Sequence, residues 1–551
     1  MNRRAFVSLA AAPLATAPLV AVPPGASPPA VSASPTPASP AATPPLATAA
    51  WNPGSVRHLL PGANHDRILL KASFTRPLAK PPVLRAKDLR TTGRPTDREG
   101  LYWAFDLPRL KPATTYELRL HEAGGQPLCD PWPLRTLPHP DEQISQLRLM
   151  VYTCAGGHEE FRSREGTLGF LPNLLRRKLL TAGLQQNPDA VIAIGDHTYW
   201  DQHSGKAALR VTETELGRKI GAFDRTLPVI GTPNETILKR AIDRQIADLY
   251  GTLFRSVPVF FLQDDHDHFE NDEATDSIIT FPPDDFMLRL ARTVQAMYYP
   301  EFLPAPGRPL AMSGVGAADR PPGVSESYGT LRWGKLAEIM LYDCRRYLSL
   351  RGPLAGFVAP EAEAWLLARM KAQETNHVVN LPSLPIGWSA GKWGDWYPDV
   401  LGDDGKLGTA KPKYFWQSGW RAQHDRLLAA ASAMERIPLF LSGDLHALAE
   451  ARILRNGPHN LERNPVVSVL TGPIGTAGNG WPSSARGTPP LPPVGLELQT
   501  GLAPLEQNGF TILDFTPGHI GGAFYKWKLG QPEAHLDSLQ PFHRFRLSRR
   551  A

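Results

Sequence analysis

The sequence predicts an α/β domain preceded by a small all-β sandwich. After about residue 146, apolar runs of strand length alternate with helical stretches, the rhythm of an α/β domain. Between residues 51 and 145 the runs are short, alternate in polarity and are separated by turn residues, as in a sandwich. With 551 residues, 42% hydrophobic and 20% charged, the chain can bury a large core. At roughly 150 residues per domain it has room for three or four units, or for one large unit and a smaller one. This composition excludes a wholly disordered chain and a multi-span membrane protein. The net charge of +6, from 59 Lys and Arg against 53 Asp and Glu, is thin over this length. No long basic run or aromatic-interleaved stripe accompanies it, which argues against nucleic-acid-specific binding. Three cysteines are too few for a disulfide-built scaffold.

The first element is an address. Arg3 and Arg4 precede Phe6, Val7 and an Ala-rich apolar stretch that runs to Val22. This reads as a signal peptide over residues 1–22 of the twin-arginine type, addressed to that export machinery and to a periplasmic or secreted location. Pro13 and Pro18 interrupt the stretch, which suits a signal better than a spanning helix. No later stretch is long enough for a transmembrane span in the mature chain. Residues 23–50 contain only Pro, Ala, Ser, Thr, Gly, Val and Leu, so they cannot build a core and read as a linker. The cleavage point stays open.

The sandwich comes next, over residues 51–145. Ile68–Phe74, Leu101–Leu107 and Tyr116–Leu120 have the alternation of strands. Leu110-Lys111-Pro112-Ala113-Thr114-Thr115-Tyr116 is similar to the L-x-P-x-T-x-Y corner of fibronectin III-like domains, whose Tyr hydroxyl ties a crossover to backbone. No cluster of titratable groups points to catalysis there.

In the large domain, residues 146–551, five apolar strands end in polar, mostly ligand-type residues. Leu147–Thr153 leads to Cys154, Ala190–Ile194 to Asp196 and Tyr199, and Val257–Leu262 to Asp264, Asp265, His266, Asp267 and His268. Glu338–Tyr342 leads to Asp343 and Arg345, and Ile437–Ser442 to Asp444 and His446. Carboxyl ends of strands are where α/β sheets build their sites. Helices are expected over Thr236–Arg255, Glu361–Lys371 and Trp420–Met434 from their apolar stripes.

Asp, His, Tyr and Cys converging at strand ends suggest a metal centre. Each signal alone is weak: His266 could be a core histidine, and Asp196 a turn cap. Adjacent Asp264 and Asp265 repel unless a cation or base pairs them, which strengthens the metal reading. A carboxylate can bridge two cations held roughly 3.5–4 Å apart, and such a pair can orient a hydroxide and clamp a phosphate. No G-x-S-x-G elbow supports a serine mechanism.

The ordered set Cys154, Gly195-Asp196-x-x-Tyr199, Asp264-Asp265-His266-Asp267, Asp343-x-Arg345 and Gly443-Asp444-x-His446 resembles PhoD-like alkaline phosphatases of the metallophosphoesterase superfamily. The match covers roughly residues 146–530. The resemblance implies a four-layer α/β/β/α metallophosphoesterase domain that hydrolyses phosphate esters, monoesters and diesters, with Fe3+ and Ca2+. It assigns Cys154 and Tyr199 to the ferric ion and Asp196 to a bridging position. It makes Asp265, Asp444 and His446 further ligands, divided between the metals in a way it leaves open. His266 falls beside the leaving group, and Arg345 falls where a guanidinium could clamp two phosphate oxygens. Thiolate and phenolate suit trivalent iron, while carboxylates suit calcium. A metal-bound hydroxide would then attack phosphorus in line.

Several positions depart from the family pattern: Gln263 stands where Trp is usual, His197 follows Asp196, and Cys344 interrupts D-T-R. His203 reads as a surface residue, and His197 and His268 stay open between ligand and surface. Cys129 and Cys344 read as free or undecided, with a bridge permitted by export. Trp388, Trp393 and Trp396 either line a cleft or form a structural cluster. The Gly-rich run Thr471–Gly480 reads as a loop near the site and lacks a P-loop ending. Gly509–Trp527 reads as a closing strand pair, and the Arg-rich end His543–Arg550 as a solvated tail. The alternatives to a phosphatase are a specialised phosphodiesterase or phospholipase, a non-catalytic secreted binding protein on the same fold, and a non-phosphate metallohydrolase. The natural substrate and the oligomeric state are open.

Overall fold

The structure is a computed structural model that describes residues 51–162, 166–200, 215–268, 283–301, 328–346, 348, 356–389, 418–477, 483, 489–493 and 495–549. The signal-like stretch, the linker, His203, Trp393, Trp396 and residues 478–480 lie outside them.

Eight short strands form two four-stranded sheets. They are β1 (Val56–Ala63), β2 (Arg67–Phe74), β3 (Val83–Ala86), β4 (Leu89–Thr92), β5 (Arg94–Pro95), β6 (Tyr102–Pro108), β7 (Thr115–His121) and β8 (Trp132–Arg135). One sheet runs β1-β2-β6-β5 and the other β4-β3-β7-β8. Along β7 burial alternates residue by residue: Tyr116, Leu118 and Leu120 point inward while Glu117 and Arg119 stay out. The hydroxyl of Tyr116 accepts the Lys111 N–H at 2.8 Å, so the tyrosine corner closes on backbone.

The next strands are β9 (Leu147–Thr153), β10 (Ala190–Ile194), β11 (Val259–Leu262), β12 (Tyr328–Trp333), β13 (Ala337–Tyr342), β14 (His377–Pro382) and β15 (Leu439–Ser442). After them come β16 (Leu448–Asn456), β17 (His459–Asn460), β18 (Val466–Thr471), β19 (Leu496–Leu505), β20 (Asn508–Thr516), β21 (His519–Trp527) and β22 (His543–Ser548). They make a six-stranded sheet, β11-β10-β9-β20-β21-β22, and an eight-stranded one, β12-β13-β14-β15-β18-β16-β17 with β19 beside β16. The strands β11, β10 and β9 are mutually parallel, as are β13, β14, β15 and β18. Both sets are buried on two faces, which is why they read as continuous apolar runs.

The inner faces meet in one apolar layer: Leu149, Val151, Ile192 and Leu262 from the first sheet, Ile339, Leu381, Leu441 and Val469 from the second. The outer face of the six-stranded sheet carries α1 (Asn173–Leu184), α3 (Pro233–Ile242), α4 (Ala247–Tyr250) and α5 (Asp285–Tyr298), with the short α2 (Glu215–Ile220) preceding α3. The outer face of the eight-stranded sheet carries α6 (Pro360–Lys371) and α7 (Ser418–Ser432). The large domain is therefore a four-layer α/β/β/α sandwich. Each fully buried Leu or Ile contributes roughly 1.5–3 kcal/mol.

Three local expectations need correction. The helix expected over Thr236–Arg255 is broken into α3 and α4, because Asp243 is drawn out to Arg57 at 2.7 Å and to the Tyr298 hydroxyl at 2.6 Å. Gly251, at φ 49°, then ends α4. The Arg-rich end is not a solvated tail: His543–Ser548 is β22, paired antiparallel with β21, with Leu547 buried and Arg544 and Arg546 outside. Its period-two alternation outweighs its charge. Strands β11 and β15 each begin one residue after a proline, Pro258 and Pro438, which has no N–H for the ladder.

The all-β sandwich packs against α4 and α5. His58 Nε2 lies 2.6 Å from the Tyr298 carbonyl, the Leu59 N–H donates to the Gly251 carbonyl at 2.9 Å, and Arg57 pairs with Asp243 and Asp248. Among the described residues no helix is long and apolar enough to cross a membrane.

Candidate metal centre

The ends of β9, β10 and β11 meet the ends of β13 and β15 along one edge of the double sheet. Two glycines allow the approach. A Cβ on Gly443, after β15, would fall 2.2 Å from the Thr153 hydroxyl of β9, and one on Gly195, after β10, would fall 2.2 Å from Asp264 Cβ. Gly195 also adopts φ 55°, open at low cost only to glycine.

Cys154, Asp196, Asp444 and His446 have φ between 49° and 64°, half of the eight non-glycine residues in the left-handed region among those described. Backbone of this kind costs of order 1–3 kcal/mol per residue and persists only where surroundings over-determine it. Here the surroundings are backbone bonds: Cys154 N–H to the Gly195 carbonyl at 3.2 Å, Gly156 N–H to the Asp196 carbonyl at 2.9 Å, and Ile474 N–H to the Thr153 carbonyl at 3.0 Å.

Every residue singled out from the sequence as a ligand or catalytic group is buried at this edge. The Cys154 thiol donates to Asp196 Oδ2 at 3.2 Å, and the Tyr199 hydroxyl donates to the same oxygen at 3.0 Å. His446 Nε2 is 3.1 Å from the Tyr199 hydroxyl and 4.0 Å from Asp196 Oδ2. The Asp196 Oδ1 atom accepts the His266 N–H at 3.3 Å, and the His266 ring lies 4.2 Å from that of Tyr199. Arg345 donates from Nε to Asp264 Oδ1 at 2.7 Å and from Nη2 to Asp444 Oδ2 at 3.0 Å.

Three sets of donor atoms lie within 4.8 Å of one another: Cys154, Asp196 and His446; Asp196, Asp265 and His266; and Asp264, Asp265 and Asp444. Asp196 belongs to two sets and Asp265 to two. Burial, then the Asp265 charge, pushes the Asp196 carboxyl well above the carboxylate range. Burial followed by the Asp196 charge raises the Cys154 thiol and the Tyr199 phenol as well. The Asp264 carboxyl is raised by burial, with the Arg345 guanidinium pulling the other way, and its Oδ2 atom is buried without a hydrogen bond. So many anionic donors in one dry volume shed their protons only beside concentrated positive charge, so the set fits cations.

Other residues were not assigned a role from sequence. Asp264 is a candidate ligand in its own right, and Asp267 accepts backbone N–H groups from both loops that carry candidate ligands. Gln245 Oε1 accepts the Gly157 and Tyr199 N–H groups at 2.8 Å each. The Thr476 hydroxyl lies 2.8 Å from His446 Nδ1, which brings the Gly-rich loop to the site. The doubled carboxylates after β11 were the available signal for Asp264; nothing in the sequence pointed to Gln245. His197 is buried away from the donor sets: it packs edge-on against the stacked rings of Phe261 and Tyr299, with Nε2 2.9 Å from the Leu262 carbonyl. His268 is also buried, 3.7 Å from Asp343 Oδ2. Trp388 sits in an apolar cluster with Leu445, Ala449 and Leu470. All three cysteines are free thiols, so Cys129 and Cys344 do not pair.

Residues 178–521 match the family model described as PhoD-like phosphatase, more than half of the chain. The chain belongs to that family. As a PhoD-like phosphatase it is a phosphoric ester hydrolase. A solved structure of PhoD is similar over 90% of this chain and 90% of that one, with a TM-score of 0.56 at 15% identity. The purple acid phosphatase PPD1 from yellow lupin (Lupinus luteus) seeds is similar over 90% of this chain and 75% of that one, with a TM-score of 0.51 at 15% identity. At that identity both likenesses concern the fold alone. No curated protein matches the chain significantly.

Proposed function

We propose that this PhoD-like phosphatase is an exported, metal-dependent hydrolase of phosphate monoesters and diesters that holds Fe3+ and Ca2+. The observation that carries the reading is the pair of shared carboxylates, Asp196 and Asp265, each common to two donor sets. Carboxylates shared in this way hold neighbouring cations at a short separation. When bound, the cations supply an acidified water as nucleophile and charge neutralisation for in-line displacement at phosphorus.

The chain's own residues carry the remaining roles. Cys154 and Tyr199 would serve as anionic donors to the iron, and Asp196, Asp265, Asp444 and His446 would supply the further ligands of the two cations. His266, whose ring lies tilted against that of Tyr199, faces the leaving-group oxygen and delivers its proton. Arg345 orients the phosphoryl oxygens while its Nε and Nη2 stay on Asp264 and Asp444. The sandwich over residues 51–145 buttresses the domain over residues 146–551. Residues 1–22 direct twin-arginine export to the periplasm or beyond, and residues 23–50 are a linker.

The test is metal analysis of protein matured through its export route, with its visible spectrum and a screen of mono- and diesters. Iron and calcium near one per chain, a charge-transfer band and ester turnover are expected. Stoichiometric zinc or manganese without such a band overturns the Cys154–Tyr199 iron assignment, and absence of ester turnover overturns the function.

A further inference from the structure

The Asp267 carboxylate belongs to none of the three donor sets, yet both loops that carry candidate ligands converge on it. Its Oδ1 accepts the N–H groups of His197 at 2.8 Å and Thr198 at 3.0 Å, with the Thr198 hydroxyl at 3.3 Å. Its Oδ2 accepts the N–H groups of Asp196 and Asp264, each at 2.9 Å. Three successive amides therefore wrap one carboxylate, as in the backbone nests that hold anions. The conformation behind them includes two successive residues at φ 55°, Gly195 and Asp196. The fourth amide belongs to the other loop, which carries Asp264, Asp265 and His266. Asp267 is 1% exposed, so these contacts form away from water and count for more than surface bonds.

We infer that Asp267 is the positioning residue of the centre: its negative charge holds the strained Gly195–Thr198 turn and fixes the spacing between Asp196 and the Asp264–His266 segment. The inference deepens the proposed function and rests on it for the identity of the ligands. Charge is the operative property. An Asn of the same size keeps one acceptor oxygen and turns an NH2 group toward amides that need an acceptor. In one side-chain orientation it abandons Asp196 and Asp264; in the other it abandons His197 and Thr198. Either way the turn loses its anchor while the core volume is unchanged.

The test compares the full chain with its Asp267→Asn and Thr198→Val variants, by hydrogen exchange in chelator and by calcium titration afterwards. Faster exchange in residues 195–199 and 264–268 of Asp267→Asn, with core strands protected as in the parent, is the expected result. Calcium affinity is expected to fall roughly 10–100-fold, the range seen when outer partners of metal ligands are removed. Thr198→Val, which removes one hydroxyl donor and leaves the carboxylate, is expected to shift affinity by only about threefold. Unchanged exchange in the two loops overturns the inference, as does an Asp267→Asn chain that melts throughout, since that assigns the residue to global stability. A Thr198→Val chain that loses affinity as severely as Asp267→Asn also overturns it, because the hydroxyl rather than the charge would then be the anchor. If the parent chain binds no calcium, the functional reading fails, and the exchange comparison in chelator still decides the role of Asp267.

Discussion

The Cys154 thiol and the Asp196 carboxylate meet at 3.2 Å, each on a residue with left-handed backbone, φ 50° and 55°. Two strained positions just beyond the ends of the neighbouring strands β9 and β10 thus bring two candidate donors to one point. Cys154→Ser and Asp196→Asn are expected to lower phosphate-ester kcat/KM by more than about 100-fold, since removing mere outer partners of metal ligands already costs about 10–100-fold. Steady-state kinetics with metal analysis of the same samples checks this. Parent-like turnover in either variant removes the residue from the centre.

The contact between Gly195 and Asp264 makes a steric prediction. Any Cβ at residue 195 meets Asp264 Cβ at 2.2 Å, so Gly195→Ala must push the Asp264–His266 segment away. The φ of 55° adds roughly 1 kcal/mol of backbone cost. The variant is expected to fold with a lowered melting temperature and to lose most bound metal. Full metal content would show that the segment yields without consequence.

Arg345 compensates two buried carboxylates, Asp264 and Asp444. In chelator, Arg345→Ala is expected to destabilise the chain by about 3–5 kcal/mol, the usual cost of stranding buried charge. With metal present, inhibition by inorganic phosphate is expected to weaken as well. Unaltered phosphate inhibition in a folded variant would remove the phosphate-clamp role.

His58 ties stability to pH where β1 of the all-β sheets meets α5. Its imidazole is pushed down to about 4 from an ordinary 6.5 by burial, against the opposing bond to the Tyr298 carbonyl. The folded chain refuses a proton that the unfolded chain accepts. Stability from this group is therefore complete above pH 6.5 and declines as the pH falls to about 4. The full loss corresponds to roughly 3 kcal/mol. Urea midpoints measured at intervals over that range should show the decline, and His58→Gln should reduce it. An equal decline in the variant assigns the acid sensitivity elsewhere.

Asp243 joins the same two elements through Arg57 and the Tyr102 and Tyr298 hydroxyls. Its replacement by Ala leaves two buried phenols short of an acceptor and is expected to cost about 2–4 kcal/mol. Thermal melting reads this directly, with ester KM expected to stay within about twofold because the residue does not touch the donor sets.

Much of the architecture was legible. Strands β9, β10, β11, β13 and β15 read as apolar runs because both their faces are buried. The candidate site residues were legible as well, because Cys154, Asp196, Asp265, Arg345, Asp444 and His446 stand soon after those runs, where strand ends deliver them. Charge misled the reading at the C-terminus, where Leu547 was the buried partner of exposed arginines. Helical periodicity misled it at Asp243, whose partners come from β1, β6 and α5, far away in sequence.

By itself the sequence determined the residue types available for chemistry and their places at strand ends, because both depend on local pattern. The division of the five strands that end at the candidate site between two sheets, the sharing of Asp196 and Asp265 between donor sets, the core placement of His197 and the convergence of two loops on Asp267 were decided by the tertiary structure. They depend on Gly443 and Gly195 letting separate strands approach within van der Waals contact, and on backbone N–H groups finding a common acceptor. Such contacts are made between residues distant in the chain, and local periodicity carries no record of them.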